Sequence, residues 1–105
     1  MLYILRKITA DGNIKSEVYL MEEVRVMGIS VSDRVEEASK LQEILTKYGC
    51  NIRTRLGLHE ASKDKCSRNG LIILELVGEN KSWKEFEDEL KAIKGITVKV
   101  MDFTL

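Results

Sequence analysis

The sequence predicts an α+β domain in which two helices cover one face of a four-stranded antiparallel sheet, preceded by an N-terminal β-hairpin. Two observations predict it. Apolar residues recur at helical spacing in two segments, one before Gly49 and one before Gly95. Four apolar runs with strand patterns surround these segments, which gives the order β-α-β-β-α-β of the ferredoxin-like arrangement.

Composition limits the class of protein. The chain has 105 residues, enough for one domain with a single core, and 17 basic residues balance 17 acidic ones. A neutral balance gives no overall attraction to nucleic acid or to an anionic membrane, and no apolar run is long enough to cross a bilayer. We see no signal-peptide pattern, and therefore expect a cytoplasmic protein in which Cys50 and Cys66 are free thiols.

The N-terminal segment, residues 1–23, lies outside the predicted α+β unit of residues 24–105. Two runs of strand-like composition flank the turn sequence Ala10-Asp11-Gly12-Asn13, which predicts a hairpin. Because a lone hairpin is marginally stable in water, we expect it to pack on the domain or on a second chain.

The first half of the unit begins with a strand over Val24–Val31. A helix follows, whose apolar stripe is Val35, Ala38, Leu41, Ile44, Leu45 and Tyr48. Gly49 is expected to end this helix. The next strand covers Asn51–His59, and alternation divides its side chains into Ile52, Leu56 and Leu58 on one side and Arg53, Arg55 and His59 on the other.

The second half starts with Glu60–Asn69, a polar stretch that we expect to be a mobile connection. Gly70–Gly78 is apolar on both faces except for Glu75, as in a central strand. Ser82 and Glu85 fit a capping box for the second helix. The apolar stripe of that helix is Trp83, Phe86, Leu90 and Ile93, and the alternating residues from Ile96 onward predict the last strand.

Strand alternation also predicts a surface that the helices leave uncovered. Five apolar residues fall there: Val24, Val26, Leu71, Ile73 and Val77. Four basic residues would form its rim: Arg53, Arg55, His59 and Lys99. A monomer rarely exposes so large an apolar patch, so we expect a homodimer or a higher homo-oligomer formed through it. RNA-recognition domains of this topology stack bases on outward aromatic residues, and the predicted outward positions hold none, so nucleic acid is not an expected partner.

Signals for catalysis or metal binding are weak. His59 is the one histidine, and no residue near it in sequence completes a nucleophile and base pair. Four competent metal ligands lie near the predicted connection: His59, Glu60, Asp64 and Cys66. Their spacing is not diagnostic, and the chain has no glycine-rich phosphate loop. We therefore predict no enzymatic activity, no metal site and no cofactor, and we interpret Cys50 as a small, partly buried core residue.

Residues 26–58, VMGISVSDRVEEASKLQEILTKYGCNIRTRLGL, resemble the ACT domain, a small ligand-sensing module of ferredoxin-like fold. They contain a strand, an Asp-Arg turn, an amphipathic helix and a glycine before Asn51-Ile52. Within that class the chain is most similar to the short stand-alone regulators assigned to iron-only hydrogenase systems, through GISVSDR, ILTKYG, RTRLGL and GITVKV. Residues 1–23 look like an addition to that pattern.

The resemblance implies a bacterial cytoplasmic protein without enzymatic activity that associates through its sheets and regulates hydrogenase production or maturation. On this basis we expect a regulatory oligomer that senses a small effector or binds a protein partner. The alternative is a structural or interaction protein without a small-molecule ligand. The related nickel-responsive repressors bind metal through several histidines and a cysteine, which a chain with one histidine does not reproduce.

The loop Ser32-Asp33-Arg34 is the candidate ligand site. In amino-acid-binding ACT domains, Pro-Gly usually follows the Asp-Arg turn, whereas Val35-Glu36 stands there in this chain. A β-branched residue and a carboxylate disfavour a tight glycine-like turn. Asp33 and Glu36 also suit a helix N-cap and its reciprocal partner. Two roles therefore stay open for this loop: helix capping alone, or ligand binding at a subunit interface.

Overall fold

The computed structural model describes residues 2–32, 38–61 and 66–105. Their helices and strands are β1 (Leu2–Ile8), β2 (Ile14–Leu20), β3 (Glu23–Val31), α1 (Ala38–Lys47), β4 (Ile52–Ala61), β5 (Cys66–Leu76), α2 (Asn80–Lys91) and β6 (Ile96–Thr104). A 3₁₀ turn, Gly49–Asn51, joins α1 to β4. The predicted α+β class and the predicted order, a hairpin followed by β-α-β-β-α-β, are confirmed.

The last four strands form one antiparallel sheet in the order β4-β5-β3-β6. Strand β3 is central and pairs on both sides, so that Met27 lies opposite Leu74 of β5 and Val100 of β6. Because side chains alternate along a strand, the paired residues share one face of the sheet. Both helices pack on the face that carries Met27.

A single apolar cluster fills the space between this face and the helices. It contains Met27, Ile29, Leu41, Ile44, Leu45, Tyr48, Leu74, Leu76, Trp83, Phe86, Leu90, Ile93 and Val98. The ring of Tyr48, the residue after α1, stacks on the ring of Phe86 in α2 with the centroids 4.8 Å apart. Burying each large apolar side chain of this kind contributes about 1.5–3 kcal/mol. The predicted stripe of the second helix is therefore confirmed as core.

The N-terminal hairpin has the predicted turn. Strands β1 and β2 pair from Leu2 with Leu20 to Ile8 with Ile14. Across the turn, the Thr9 amide donates to the Asn13 carbonyl at 2.8 Å, and Gly12 adopts a φ of 84°. That φ lies in the left-handed region that glycine tolerates best, which explains why this sequence reverses the chain here.

The start of α2 differs from the prediction. The helix begins at Asn80, with Glu79 as its N-cap and no side-chain hydrogen bond at the cap. Ser82 lies inside the first turn, and its amide donates to the Glu79 carbonyl at 3.0 Å. The predicted capping box of Ser82 and Glu85 is therefore wrong. Gly78, with a φ of 91°, ends the preceding segment and starts the helix earlier than the side-chain pattern indicates.

The predicted mobile connection Glu60–Asn69 is also wrong over most of its length. Strand β4 continues to Ala61 and β5 begins at Cys66, with Ala61 paired to Cys66. Residues 62–65 between them lie outside the described residues. Backbone pairing between two adjacent antiparallel strands thus prevails over the weak strand propensity of a polar sequence.

Helix α1 ends at Lys47, just before the predicted stop. Gly49 opens the 3₁₀ turn and has no positive φ, so it is not a left-handed helix cap. The predicted start of the helix and its capping by Asp33 lie outside the described residues. In the part of the chain that the structure describes, no helix has the length and apolar character needed to span a membrane.

Candidate functional site

The sheet face opposite the helices is the main candidate surface, and we call it the open face. Register defines it, because Val26 pairs with both Glu75 and Met101, and Gly28 pairs with both Ile73 and Lys99. Alternation then assigns to the open face Val24, Val26, Gly28, Ser30, Thr54, Leu56, Leu71, Ile73, Glu75, Val77, Thr97, Lys99, Met101 and Phe103.

The five residues predicted for an oligomer interface all fall on the open face. Their exposure differs. Leu71 is exposed, and Val26, Ile73 and Val77 are half-buried. Val24 is 2% exposed and is not part of the cluster beneath the helices, so the protomer itself already covers it. Participation of these residues in an interface stays a prediction.

Three further apolar residues of the open face were not identified from the sequence. Leu56, Met101 and Phe103 are 47–59% exposed. Phe103 corrects the expectation that no outward position of the sheet is aromatic. A signal was present, since the alternation of Thr97, Lys99 and Met101 continues to Phe103 when β6 is extended.

A bulge in β4 changes the predicted faces of that strand. Ile52 pairs with Leu76 and Thr54 pairs with Glu75, so Arg53 is the extra residue. Ile52 therefore packs against the core, on the side opposite Leu56, although simple alternation predicts that both lie on one side.

The bulge also rearranges the predicted basic rim. Arg55 lies on the helix side, where its guanidinium donates to Gln42 of α1 at 3.4 Å. Lys99 lies on the open face, as predicted. The side chain of His59 lies outside the description of the structure, so its place in the rim stays a prediction.

Arg53 organises a group of charged side chains at one end of the open face. Its guanidinium donates to both carboxylate oxygens of Glu75, at 3.0 and 2.9 Å, and to Glu22 at 2.6 Å. The Thr54 hydroxyl donates to Glu75 at 2.8 Å. The bonds from Arg53 and then Thr54 lower the pKa of Glu75 to about 2, and the same contact with Glu75 raises the pKa of Arg53. The Arg53 guanidinium thus forms ion pairs with two carboxylates, those of Glu22 and Glu75.

A second charged group lies on the helix side. Arg25 donates to both oxygens of Asp102, at 2.7 and 2.9 Å, and to Glu87 of α2 at 3.3 Å. Its guanidinium carbon lies 5.5 Å from the centroid of the Trp83 ring. The side chains of Arg25 and Glu87 are 16% and 12% exposed, so this pair is shielded from water. These contacts tie β3, β6 and α2 together and match a structural role.

The predicted ligand loop is described at its first residue. Ser32 is half-buried, and its amide donates to the Gly95 carbonyl at 3.0 Å, which joins the end of β3 to the turn before β6. Asp33 and Arg34 lie outside the described residues. Both predicted roles of the loop, capping and ligand binding, therefore stay predictions.

Cys50 is exposed, so its interpretation as a partly buried core residue is wrong. It lies in the 3₁₀ turn, whose residues are not part of the buried cluster. Within residues 2–32, 38–61 and 66–105, no group of three or more potential metal ligands comes together.

An open cleft of about 470 Å³ lies where β3 and α2 begin. Its lining residues are Met21, Glu22, Glu23, Gly78, Glu79 and Asn80. Three carboxylates line the cleft, and one of them, Glu22, is paired with Arg53, so the cleft offers a phosphate group no basic partner in its lining. A phosphorylated ligand would need a different part of the molecule.

Comparison with known proteins identifies solved structures of the same fold. No protein-family model matches the chain, and no curated protein matches it. Among solved structures, uncharacterized protein TM1266 from Thermotoga maritima is 22% identical, with a TM-score of 0.65 over 78% of this chain and 98% of that chain. CPII, a nitrogen regulatory PII-like protein from Thiomonas intermedia K12 bound to ADP, AMP and bicarbonate, is 11% identical, with a TM-score of 0.52 over 82% of this chain and 96% of that chain.

The chain shares the fold of these two proteins. At these identities the likeness concerns the fold alone, because one fold can support unrelated functions. The match to TM1266 leaves 22% of this chain without a counterpart. In a chain of 105 residues, that share is about the length of the N-terminal segment 1–23.

Proposed function

We propose that this protein is a non-catalytic regulatory module that acts as a homo-oligomer through the open face. One observation carries the proposal: Leu56, Leu71, Met101 and Phe103 are 40–59% exposed on the same side of one sheet. Large exposed apolar patches mark interaction sites, and a self-complementary patch on a small domain suits a symmetric dimer. The Arg53 group then lies at the border of the interface.

The regulatory part of the proposal is supported by two likenesses. The sequence resembles stand-alone regulators of iron-only hydrogenase systems, and the fold is shared with a nitrogen regulatory PII-like protein. That protein was solved with ADP, AMP and bicarbonate, which makes adenine nucleotides reasonable first candidates for an effector here. We place the effector at a subunit boundary next to Ser32, Asp33 and Arg34, away from the acidic cleft, and we place the protein in the cytoplasm.

An alternative function is a structural or interaction protein without a small-molecule ligand. The charge pairing favours it, since the guanidiniums of Arg25 and Arg53 already hold carboxylates. At these two arginines an effector phosphate would have to displace a carboxylate. A free protein partner would use the same apolar open face.

The oligomer is tested by replacing Met101 with lysine. Met101 is the most exposed of the four open-face residues, so the protomer tolerates the polar chain, whereas an interface on the open face would bury the new charge. Sedimentation equilibrium should give an oligomer for the parent protein and a monomer for Met101→Lys. The matched control is Ser39→Lys on the exposed side of α1, which should keep the parent mass. Unchanged mass for Met101→Lys overturns the proposed interface.

The effector is tested by thermal shift with ADP, AMP, amino acids and divalent metals. A ligand that binds the native state raises the melting temperature in a concentration-dependent way. Asp33→Asn is the informative variant, because asparagine keeps the capping ability of aspartate while removing the charge. A shift that this variant loses assigns the ligand to the loop. No shift with any compound favours the interaction protein.

A further inference from the structure

One face of the N-terminal hairpin carries three exposed isoleucines, with the Arg6–Ser16 pair between them. Ile4, Ile8 and Ile14 are 68–78% exposed. Ile8 pairs directly with Ile14, and Ile4 lies four residues before Ile8, so the three side chains share one face. Lys7 pairs with Lys15 on the other face. We call the hairpin face that carries Ile4, Ile8 and Ile14 the isoleucine face.

The hairpin projects from the rest of the protomer. Strands β1 and β2 contact each other extensively and the remaining elements sparsely. The radius of gyration is 19.4 Å, whereas a compact domain of this length has about 13 Å. The longest dimension is 70 Å, about twice the length of an eleven-residue strand such as β5. A two-stranded hairpin is marginal in water, so this arrangement needs a surface to pack on.

The base of the hairpin is fixed beside the open face. Glu22, which follows the hairpin, exchanges two backbone hydrogen bonds with Leu105, at 2.9 and 2.8 Å. Its carboxylate accepts a bond from Arg53, which also holds Glu75 of the open face. These contacts join the base of the hairpin to the end of the chain and to β4. The isoleucine face is exposed in the protomer, so an occupant of it would come from outside.

We propose that the hairpin is an arm that packs its isoleucine face on a second copy of this chain. The inference rests on the proposed oligomer and adds a second contact to it. The areas agree with a second copy as the occupant. Strand dimensions give the open face about 570 Å² and the hairpin face about 240 Å². Because each protomer would also bury an equal area beneath the partner's hairpin, its share of the contact would be about 1,050 Å². That exceeds the roughly 800 Å² that each partner of a standard-size complex contributes, whereas the open face alone falls short of it.

The test uses matched double substitutions on the two faces of the full-length hairpin. Ile8→Ser with Ile14→Ser removes one cross-strand pair from the isoleucine face. Lys7→Ser with Lys15→Ser removes the neighbouring pair from the other face. We expect the isoleucine double variant to raise the dimer dissociation constant about a hundred-fold or more, since each protomer loses two isoleucines that the dimer would bury. The lysine double variant should change it by less than about ten-fold.

Hydrogen exchange at two protein concentrations provides a second readout. Amides of β1 and β2 should be protected above the dissociation constant and exchange quickly below it, because only the oligomer supports the hairpin. An unchanged dissociation constant in the isoleucine double variant, with a parent that is still oligomeric, overturns the arm and leaves the proposed interface intact. A parent that is monomeric at all concentrations overturns the proposed oligomer and the arm together.

Discussion

The side-chain amide of Asn51 occupies the space that a side chain at Gly78 would need. A Cβ built on Gly78 would lie 2.7 Å from Nδ2 of Asn51, and Gly78 has a φ of 91°. Two hydrogen bonds hold Asn51 there. Its side-chain Nδ2 donates to the Val77 carbonyl at 3.0 Å, and its backbone carbonyl accepts from the Val77 amide at 2.8 Å. The turn before β4 is thus locked to the end of β5.

Replacing Gly78 with alanine should destabilise the protein by about 2 kcal/mol or more, because the left-handed conformation alone costs an L-residue 1–2 kcal/mol. The contact with Asn51 adds to this cost. Urea unfolding followed by Trp83 fluorescence measures the change. Gly57→Ala is the control, since Gly57 has no positive φ and a Cβ there meets nothing within 4 Å. Equal losses in the two variants would contradict the prediction.

The Val77 carbonyl accepts two side-chain hydrogen bonds, from Asn51 Nδ2 and from Trp83 Nε1 at 2.9 Å. Asn51→Ala removes one donor and should cost about 1 kcal/mol. Trp83→Phe removes the other donor and also part of a buried ring, so it should cost more than that. The double variant should cost more than the sum by about 0.5 kcal/mol, because the carbonyl then loses both side-chain partners. Urea unfolding monitored by circular dichroism gives the free energies of unfolding of the parent, the two single variants and the double variant, which complete the double-mutant cycle. Strict additivity would show that the two bonds are independent.

The periodic parts of the fold could be predicted from the sequence. Trp83, Phe86 and Leu90 recur at helical spacing, and all three are core residues of α2. The turn around Gly12 could also be predicted, because its conformation depends on local residue chemistry. Helix α2 and the hairpin turn, which depend on residues close together in sequence, were thus predicted correctly.

Features that depend on distant partners could not be predicted. Nothing near Arg53 in sequence indicates a bulge, since its cause is the register with Glu75 on another strand. The start of α2 is decided by the backbone at Gly78, not by the Ser82 side chain. The five residues predicted for an interface fall on the open face, and their role there stays a prediction, but Leu56, Met101 and Phe103 of that face were not identified from the sequence.

Glu75 should titrate far below an ordinary glutamate. Its pKa is lowered from 4.5 to about 2 by Arg53 and Thr54. A lowered native pKa means that the stability contributed by this carboxylate is complete above pH 4.5 and is lost as the pH falls through about 2. Arg53→Gln should raise the pKa of Glu75 toward 4.5 in a carboxyl-detected NMR titration, whereas Arg55→Gln, on the other face, should leave it low. No response to Arg53→Gln would contradict the assignment.

Residues 21–105 should fold without the hairpin. The core cluster includes no residue before Met27, and Glu22 keeps its bonds to Leu105 and Arg53 in the shortened chain. Below the dissociation constant of the oligomer, we expect one cooperative urea transition with a midpoint close to that of the full chain. Leu90→Ala in the full chain sets the scale, because its fully buried side chain should cost about 2–5 kcal/mol. A broad, noncooperative transition of the shortened chain would show that the hairpin belongs to the folding unit, and the domain boundary near residue 23 would then be wrong.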